Sequence, residues 1–347
     1  MSDQLADSAE RLFTTHVTKD VLQAAEAGTF PQSLWDAVAE AGFTAALLPE
    51  DAGGFGATVA EAMRLVQAAA FHAAPAPLAE TMLAGWLLAR AGLPAPPGVL
   101  TLAPVRRGEA LTLQWEGGGW RLAGTATRVP WGRDAAALAV LAEGPDGPMV
   151  AFVSACGTVA RDVNLAGEPR DTVAFDAALP AGAVAPAPFD AAGLRAAGAA
   201  VRTVQIAGAL SRALAISVEY AQTRVQFGRP IGKFQAIQHN LAVLAGQSAA
   251  ALAAADMAAD ALAGDLSPLV VGAAKARAGE AASVAAGLAH QSHGAIGFTQ
   301  EYHLHPFTRR LWSWRDEFGN EAEWNALVGR AALQAGPDGL WPALTAA

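Results

Sequence analysis

The chain has 347 residues, a formal net charge of −9 and a pI near 5.3. This acidic balance, without a clustered run of lysine or arginine, argues against binding to nucleic acid or to an anionic membrane surface. The length predicts two or three compact units with large cores. A single cysteine, Cys156, excludes an intrachain disulfide, and no N-terminal stretch has the pattern of a signal peptide, so we expect a cytoplasmic protein.

The first region, up to about residue 95, has the apolar spacing of helices. Leu34, Val38 and Ala41 share one helical face, and a second apolar run covers residues 60–71. The sequence PEDAGGFG at residues 49–56 separates the two runs, because its proline and glycines break a helix. A second break at residues 94–98 ends the predicted N-terminal helical domain, residues 1–98.

The next region is predicted to form strands. Short apolar or alternating runs occur at residues 99–102, 111–115, 120–122, 136–141 and 149–153, separated by glycine-rich turns. This pattern predicts a small β-barrel middle domain over residues 99–188. The proline- and alanine-rich residues 179–188 are interpreted as a linker to the next domain.

From about residue 191 the pattern is helical again. An apolar stripe recurs every four residues along a helix that ends near Arg224, at Ile206, Leu210, Leu214 and Val218. Residues 234–255 lack charged side chains, but five polar residues interrupt them, so we predict a buried bundle helix rather than a membrane span. The whole sequence therefore predicts an α+β multidomain fold that ends in a four-helix bundle, residues 189–347.

The segment RVQFGRPIGKFQ, residues 224–235, carries the most specific signal. Pro230 and two glycines predict a non-helical loop between two helices, and a guanidinium at such a joint can bind a phosphate in a bidentate manner. Two simpler roles stay open on chemistry alone. Arg224 could cap the carbonyls of its helix, and Phe227 could belong to the core.

The same segment resembles a motif of the flavin-dependent acyl-CoA dehydrogenase family, which has an arginine, an aromatic-glycine pair and a glutamine. Here these are Arg224, Phe227 with Gly228, and Gln235. The resemblance implies that they contact the FAD of a neighbouring subunit. It therefore also implies an oligomer, which we expect to be a homo- or hetero-tetramer.

A second block, QSHGAIGFTQEY at residues 291–302, resembles another FAD-contact motif of the family. The resemblance assigns Gln291, Gly294 and Gly297 to cofactor binding, and glycines would let the backbone approach the dinucleotide closely. PEDAGGFG and PAPLAETMLAG also resemble the family, so the similarity spans nearly the whole chain. It implies oxidation of an acyl-CoA thioester to the 2-enoyl-CoA, with electrons passed to an electron-transfer flavoprotein.

The general base of the family is missing from its usual place. Its glutamate position falls on Phe318, and the second place used in some members, near Gly198, has no acid nearby. Glu317 is the first remaining candidate base, followed by Glu321 and Glu301. Each has an alternative role, because Glu301 is a structural residue in the family and the other two could pair with Arg310 or Arg315.

The middle domain departs from the family as well. The family's TEP segment is shortened to LTLAPV at residues 100–105, and its Trp-Ile-Thr beside the flavin ring becomes Arg128-Val129-Pro130. Two hypotheses follow: a complete acyl-CoA dehydrogenase, or a non-catalytic half-site subunit that completes a partner's FAD site, as in the α2β2 enzymes of steroid degradation.

Two further sets of residues stay unassigned. Three arginines are equally plausible ligands for the coenzyme A moiety: Arg195, Arg202 and Arg212. A histidine cluster could hold a metal, but we expect packing or hydrogen bonding, since the family uses no metal. Its members are His290, His293, His303 and His305.

Overall fold

The structure is a computed structural model that describes residues 2–154 and 158–345, so Cys156 lies outside the described residues. The chain divides into two compact units. The N-terminal unit comprises Met1–Ala69 and Ala74–Gly198, and the C-terminal unit comprises Ala70–Ala73 and Ala199–Ala347. The domain boundaries near residues 98 and 188 stay a prediction.

Five helices come first along the chain, with 3₁₀ turns at Phe43–Ala45 and Glu50–Ala52. They are α1 (Ser2–His16), α2 (Lys19–Glu26), α3 (Gln32–Glu40), α4 (Val59–Phe71) and α5 (Leu78–Arg90). The predicted face of α3 is confirmed at Leu34 and Val38, which are buried, but it is wrong at Ala41, which is exposed and follows the last residue of the helix. The PEDAGGFG break is also confirmed. A Cβ at Gly54 would lie 1.8 Å from the Leu48 carbonyl oxygen, so only glycine fits there.

Eight strands form one sheet in the order β6-β7-β3-β2-β4-β5-β8, with β1 paired to β4. The strands are β1 (Leu100–Ala103), β2 (Thr112–Glu116), β3 (Gly119–Pro130), β4 (Ala137–Gly144), β5 (Gly147–Ser154), β6 (Thr158–Ala160), β7 (Arg170–Pro180) and β8 (Val184–Pro186). The pairs are antiparallel except that β4 runs parallel to β1 and, at one position, to β2. Alternate residues such as Leu122, Val140 and Phe175 build its core.

The prediction that residues 179–188 form a linker is wrong. The first of these residues finish β7, Ala181–Ala183 form a 3₁₀ turn, and Val184–Pro186 form β8, which pairs with Met149–Ala151 of β5. Proline is tolerated on an edge strand, where its missing N–H breaks no ladder. A segment with a composition typical of linkers therefore forms β8, the edge strand of the sheet.

Five helices follow: α6 (Ala191–Thr223), α7 (Gln235–Ala263), α8 (Pro268–His293), α9 (His305–Asp316) and α10 (Glu321–Thr345). α10 is interrupted at Gly336, whose φ is 67°. The predicted order of helices, strands and helices is confirmed. So is the apolar stripe of α6, because Ile206 and Leu210 are fully buried.

α7 differs from the prediction of a buried helix. Only 33% of its most apolar window is buried, and side chains such as Val243 and Met257 are about half exposed. Among the described helices, α7 is also the one that is long and apolar enough to cross a membrane. A single helix of this kind is weak evidence for a membrane span. Up to residue 255 its exposed positions include no Asp, Glu, Lys or Arg and about half of them are alanine, whereas Asp256 and Asp260 are exposed near the end of the helix.

Candidate functional site

The predicted non-helical loop between α6 and α7 is present, and within the segment from Arg224 to Gln235 it forms a small hairpin. Two further strands, β9 (Val225–Gln226) and β10 (Arg229–Pro230), pair in an antiparallel ladder. Phe227 and Gly228 make the turn with φ of 52° and 79°, the positive values that a two-residue hairpin requires. The Ile231 N–H donates to the Arg224 carbonyl at 2.8 Å, which closes the base of the hairpin.

The side chains of this hairpin point away from the chain. The Phe227 ring is 91% exposed and meets Phe234 edge-to-face at 6.1 Å, so its assignment to the core is wrong. The Arg229 guanidinium lies 4.3 Å from the Phe234 ring centroid and braces the turn. Arg224 and Gln235 are exposed, and within the described residues neither side chain has an intrachain hydrogen bond.

The second predicted block lies at the end of α8. Gln291 is exposed, and Gly294 ends the helix with φ 67° and ψ −149°, a conformation open almost only to glycine. A Cβ on Gly294 would meet nothing within 4 Å, whereas one on Gly297 would lie 3.0 Å from His293 Cβ. Gly294 therefore has open space beside it, whereas Gly297 is packed against His293 and His290. The cofactor-binding role of both glycines stays a prediction.

The two blocks meet through Tyr220, one turn before Arg224 on α6. Its ring stacks on His293 at 4.5 Å, and its hydroxyl donates to the His293 carbonyl at 3.4 Å. The structure therefore brings together the end of α6, which carries the hairpin, and the end of α8, which carries Gln291 and Gly294. A guanidinium, an aromatic face and two amides on such a surface fit a dinucleotide with an anionic pyrophosphate and an adenine.

The histidines serve packing and hydrogen bonding. His290 Nε2 lies 2.8 Å from Thr308 Oγ1, and His293 Nδ1 donates to the Ala289 carbonyl at 2.7 Å. Burial lowers the pKa of both rings, so they are neutral near pH 7. Among the described residues, no group of three or more histidine, cysteine or acidic side chains could hold a metal ion.

The loop between α9 and α10, residues 316–320, stands where the family carries its base. Phe318 has φ 56° and Gly319 has φ 102°, and the Phe318 side chain is only 6% exposed. Side chains from two helices fix the backbone. Trp324 Nε1 donates to the Phe318 carbonyl at 3.1 Å, and Lys275 Nζ donates to the carbonyls of Arg315 and Gly319 at 2.6 and 2.9 Å.

Glu317, the first candidate base, is held by Arg202 of α6. Arg202 Nε donates to Glu317 Oε2 at 2.8 Å, and the arginine side chain is 2% exposed. The same guanidinium lies 5.7 Å from the Phe318 ring centroid. Arg202 is thus a structural partner of this loop, which weakens it as a ligand for coenzyme A. Glu321 pairs with Arg315 at 2.9 Å, as the sequence suggested.

Lys275 was not singled out from the sequence, where it stands in an alanine-rich stretch of α8 that also contains Arg277 and Glu280. Its side chain is fully buried, and desolvation lowers its pKa to about 7 against the attraction of Glu321, Glu317 and Asp316. Burial also raises the pKa of Asp316. Six ionisable side chains therefore lie at this loop, namely the basic Lys275, Arg202 and Arg315 and the acidic Asp316, Glu317 and Glu321.

In the N-terminal unit, the residues in place of the family's Trp-Ile-Thr have a different structure. Arg128 has φ 60° and lies in a register shift of the β3·β7 ladder between Ala126 and Val129. Its guanidinium pairs with Asp162 at 3.1 Å. The Pro130 carbonyl accepts a hydrogen bond from the buried Thr101 hydroxyl, and proline offers no N–H to a ligand.

Family models match both ends of the chain. The acyl-CoA dehydrogenase N-terminal domain matches residues 2–95, and the acyl-CoA dehydrogenase C-terminal domain matches residues 196–322. Acyl-CoA dehydrogenase IpdE2 of Mycobacterium tuberculosis is 31% identical over 314 residues, which cover 88% of this chain and 89% of that protein. The chain belongs to the acyl-CoA dehydrogenase family, whose members are FAD-dependent flavoproteins.

Solved structures agree with this assignment. The steroid acyl-CoA dehydrogenase variant Tcur3481-Tcur3483 superposes with a TM-score of 0.85 at 28% identity, covering 96% of this chain and 98% of that one. The ChsE4-ChsE5 complex of Mycobacterium tuberculosis gives 0.84 at 26% identity, covering 97% and 98%. The predicted fold class is confirmed by these matches and by the fold of butyryl-CoA dehydrogenase from Megasphaera elsdenii, at 20% identity and a TM-score of 0.84 over 96% of this chain and 98% of that one.

Proposed function

We propose that this chain is a half-site subunit of an FAD-dependent acyl-CoA dehydrogenase. It completes the FAD site of a partner through the hairpin at residues 224–235, and the partner supplies the base and the flavin-ring pocket. One observation carries the proposal: the hairpin side chains are exposed and uncommitted, whereas the loop at the base position is filled by a buried phenylalanine and a paired glutamate.

The roles of the hairpin residues follow from their chemistry. Arg224 would bind the pyrophosphate, Phe227 would pack against the adenosine, and Gln235 with Gln291 would donate or accept hydrogen bonds at its edge. The hairpin turn is braced by Arg229 and Phe234, so these side chains are held ready for a ligand. FAD, when bound, accepts the hydride that leaves the β-carbon of the thioester.

The base would have to come from elsewhere because Glu317 is already engaged. Its Oε2 accepts a hydrogen bond from Arg202 at 2.8 Å, so one of its two oxygens is bound by a buried guanidinium that ties the side chain to α6. Phe318, at the usual position of the base, has no group that can accept a proton.

The flavin-ring side is also weakened. Arg128 pairs with Asp162 where the family has an aromatic residue, and Pro130 has no donor where the family has a threonine. Both departures lie on one strand, β3. They favour a chain that contributes to a neighbour's cofactor site more than to one of its own.

The relatives suggest the class of assembly and substrate. Two of the structures above are named as pairs of different chains, and one is a steroid acyl-CoA dehydrogenase. We therefore propose a heteromeric assembly, with a steroid-derived acyl-CoA as the substrate class. The exposed part of α7 up to residue 255 is the natural surface for subunit contact, since it carries no Asp, Glu, Lys or Arg whose charge would be desolvated.

The second candidate function is a complete acyl-CoA dehydrogenase with Glu317 as its base. It is favoured by the position of Glu317, one residue from the usual place and partly accessible at 15% exposure. Electron transfer to an electron-transfer flavoprotein is expected under either function.

The deciding experiment compares the chain purified alone with the chain co-expressed with a partner dehydrogenase subunit. We expect visible flavin absorbance only in the co-expressed complex, and turnover of a steroid-derived acyl-CoA with an artificial electron acceptor. Arg224→Met should weaken FAD binding about 10- to 100-fold, as expected for loss of a charge-assisted bond. Glu317→Gln should leave turnover within a few fold.

The opposite results would favour the complete enzyme. These are one flavin per chain in the isolated protein, and a loss of about 100- to 10,000-fold in turnover on Glu317→Gln, the usual size for removal of a general base. Arg330→Met is the matched control for Arg224, because it removes an exposed guanidinium from α10 and leaves the hairpin and its Arg229–Phe234 contact unchanged.

A further inference from the structure

Lys275 binds both ends of the loop between α9 and α10. Its Nζ donates to the Arg315 carbonyl in the last turn of α9 and to the Gly319 carbonyl just before α10 begins. The side chain is 1% exposed, whereas the other two lysines of the chain, Lys19 and Lys233, are exposed. A single amine therefore spans the loop from inside the C-terminal unit.

The charged groups around Lys275 come from every neighbouring element. Arg202 lies on α6, Arg315 on α9, Asp316 and Glu317 at the start of the loop, and Glu321 on α10. Glu317 is paired with Arg202, and Glu321 and Asp316 with Arg315. In the described part of the chain, the hydrogen-bond partners of Nζ are thus two neutral carbonyls.

The neutral amine can hold the loop as well as the ammonium can. A neutral lysine keeps two N–H donors, one for each carbonyl, while the ammonium carries a third donor and a charge removed from water. Opening of the loop would free both carbonyls and admit water to the amine. The amine would then recover the proton affinity of an ordinary lysine.

We propose that Lys275 is a proton-coupled latch, so that the loop between α9 and α10 opens by taking up a proton on this lysine. Opening releases Phe318 from its burial and Glu317 from Arg202, and acidification favours it. This inference is independent of the half-site function, because it needs neither flavin nor partner.

The direction of the pH effect follows from linkage. The pKa of Lys275 is about 7 in the closed loop and about 10.4 for a lysine in water. Between these values the open form binds more protons than the closed form, so raising the pH favours the closed form. The equilibrium constant for opening should fall up to about tenfold per pH unit above pH 7 and be constant below it.

Amide hydrogen exchange of a peptide covering residues 315–322, from pH 6 to 9, tests the latch. After correction for intrinsic exchange, protection of the loop should rise about tenfold per unit above pH 7 in the unmodified chain. Lys275→Met should abolish this slope, and Lys233→Met, which removes an exposed lysine of the same unit, should keep it. A flat profile in the unmodified chain, or an unchanged slope in Lys275→Met, would overturn the proposal.

A second measurement does not depend on the folding of Lys275→Met. In a chain labelled with carbon-13 lysine, three side-chain signals should appear, and one should titrate near pH 7. Lys19→Met and Lys233→Met assign the other two by elimination. Titration of all three signals near pH ~10 would overturn the latch.

Discussion

Two short connections of the C-terminal unit, built in opposite ways, define what this chain can do. The hairpin at residues 224–235 fixes its backbone and leaves Arg224, Phe227 and Gln235 in solvent. The α9–α10 loop buries Phe318 and Gly319, and the carbonyls of Arg315, Phe318 and Gly319 are bound by Lys275 and Trp324. The hairpin side chains are thus open to another molecule, whereas the loop is held by contacts inside the chain.

Under the proposed half-site function, this difference means that the chain keeps one part of a family site and lacks another. The hairpin would carry the retained cofactor-binding residues. The position that holds the base in the family is occupied by the buried Phe318, with Arg202 over its ring, and the neighbouring Glu317 is in an ion pair with Arg202. A sequence match to the family therefore does not assign catalysis to every chain that carries it.

The largest effect on stability should come from deleting one aromatic side chain at each connection, Trp324, which binds the α9–α10 loop from α10, and Phe227 in the hairpin. Trp324 is 2% exposed and its ring would lie 2.8 Å from a Cβ at Gly272, so Trp324→Ala should lower the free energy of unfolding by about 3–5 kcal/mol. Phe227→Ala should change it by less than about 0.5 kcal/mol, because the ring is exposed. Urea unfolding of the isolated chain measures both. Equal losses of unfolding free energy in the two variants would contradict the difference between the loop and the hairpin.

An intermediate effect should come from the Arg202–Glu317 pair. Arg202→Met and Glu317→Gln should each destabilise the chain by about 3 kcal/mol, since each leaves a buried polar partner behind. The double variant should lose less than the sum, with a coupling energy of about 2 kcal/mol. A double-mutant cycle of unfolding free energies checks this. Additive losses would show that the two side chains do not interact.

The smallest effect concerns the glycines near the second block. Gly297→Ala should cost about 1–2 kcal/mol, because its Cβ would press on His293 and His290. Gly287→Ala, in an open position on exposed α8 surface, should instead stabilise the chain by about 0.5–1 kcal/mol. Thermal unfolding of the two variants decides whether Gly297 is kept for packing. Stabilisation by both would argue against a packing role.

Part of this architecture could be predicted from the sequence because the patterns that determine it lie within short segments of the chain. Pro230 and the two glycines predict where α6 stops and α7 starts, and the replacement of the usual base by Phe318 is visible by alignment within one motif. The exposure of Phe227 was not predictable from its apolar character. It depends on a turn with two positive φ angles that points the ring outward.

The rest depends on contacts between distant residues. Arg202 lies 115 positions from Glu317, and no pattern in α6 marks it as the partner. Lys275 binds backbone carbonyls, which carry no sequence signature of their own. For α7, composition predicted burial, but only a third of its most apolar window is buried in the single chain. Under the proposed heteromeric assembly, another subunit would cover the remaining side.

Because the Lys275 amine is buried, this chain is also well suited to cross-linking mass spectrometry. Amine-reactive cross-linkers need an accessible lysine, and only Lys19 and Lys233 meet that requirement. Lys233 lies within the hairpin segment, two residues before Gln235. Lysine-specific links from the C-terminal unit to another subunit would therefore all start at one position, and that position lies beside the surface that we assign to a partner's FAD.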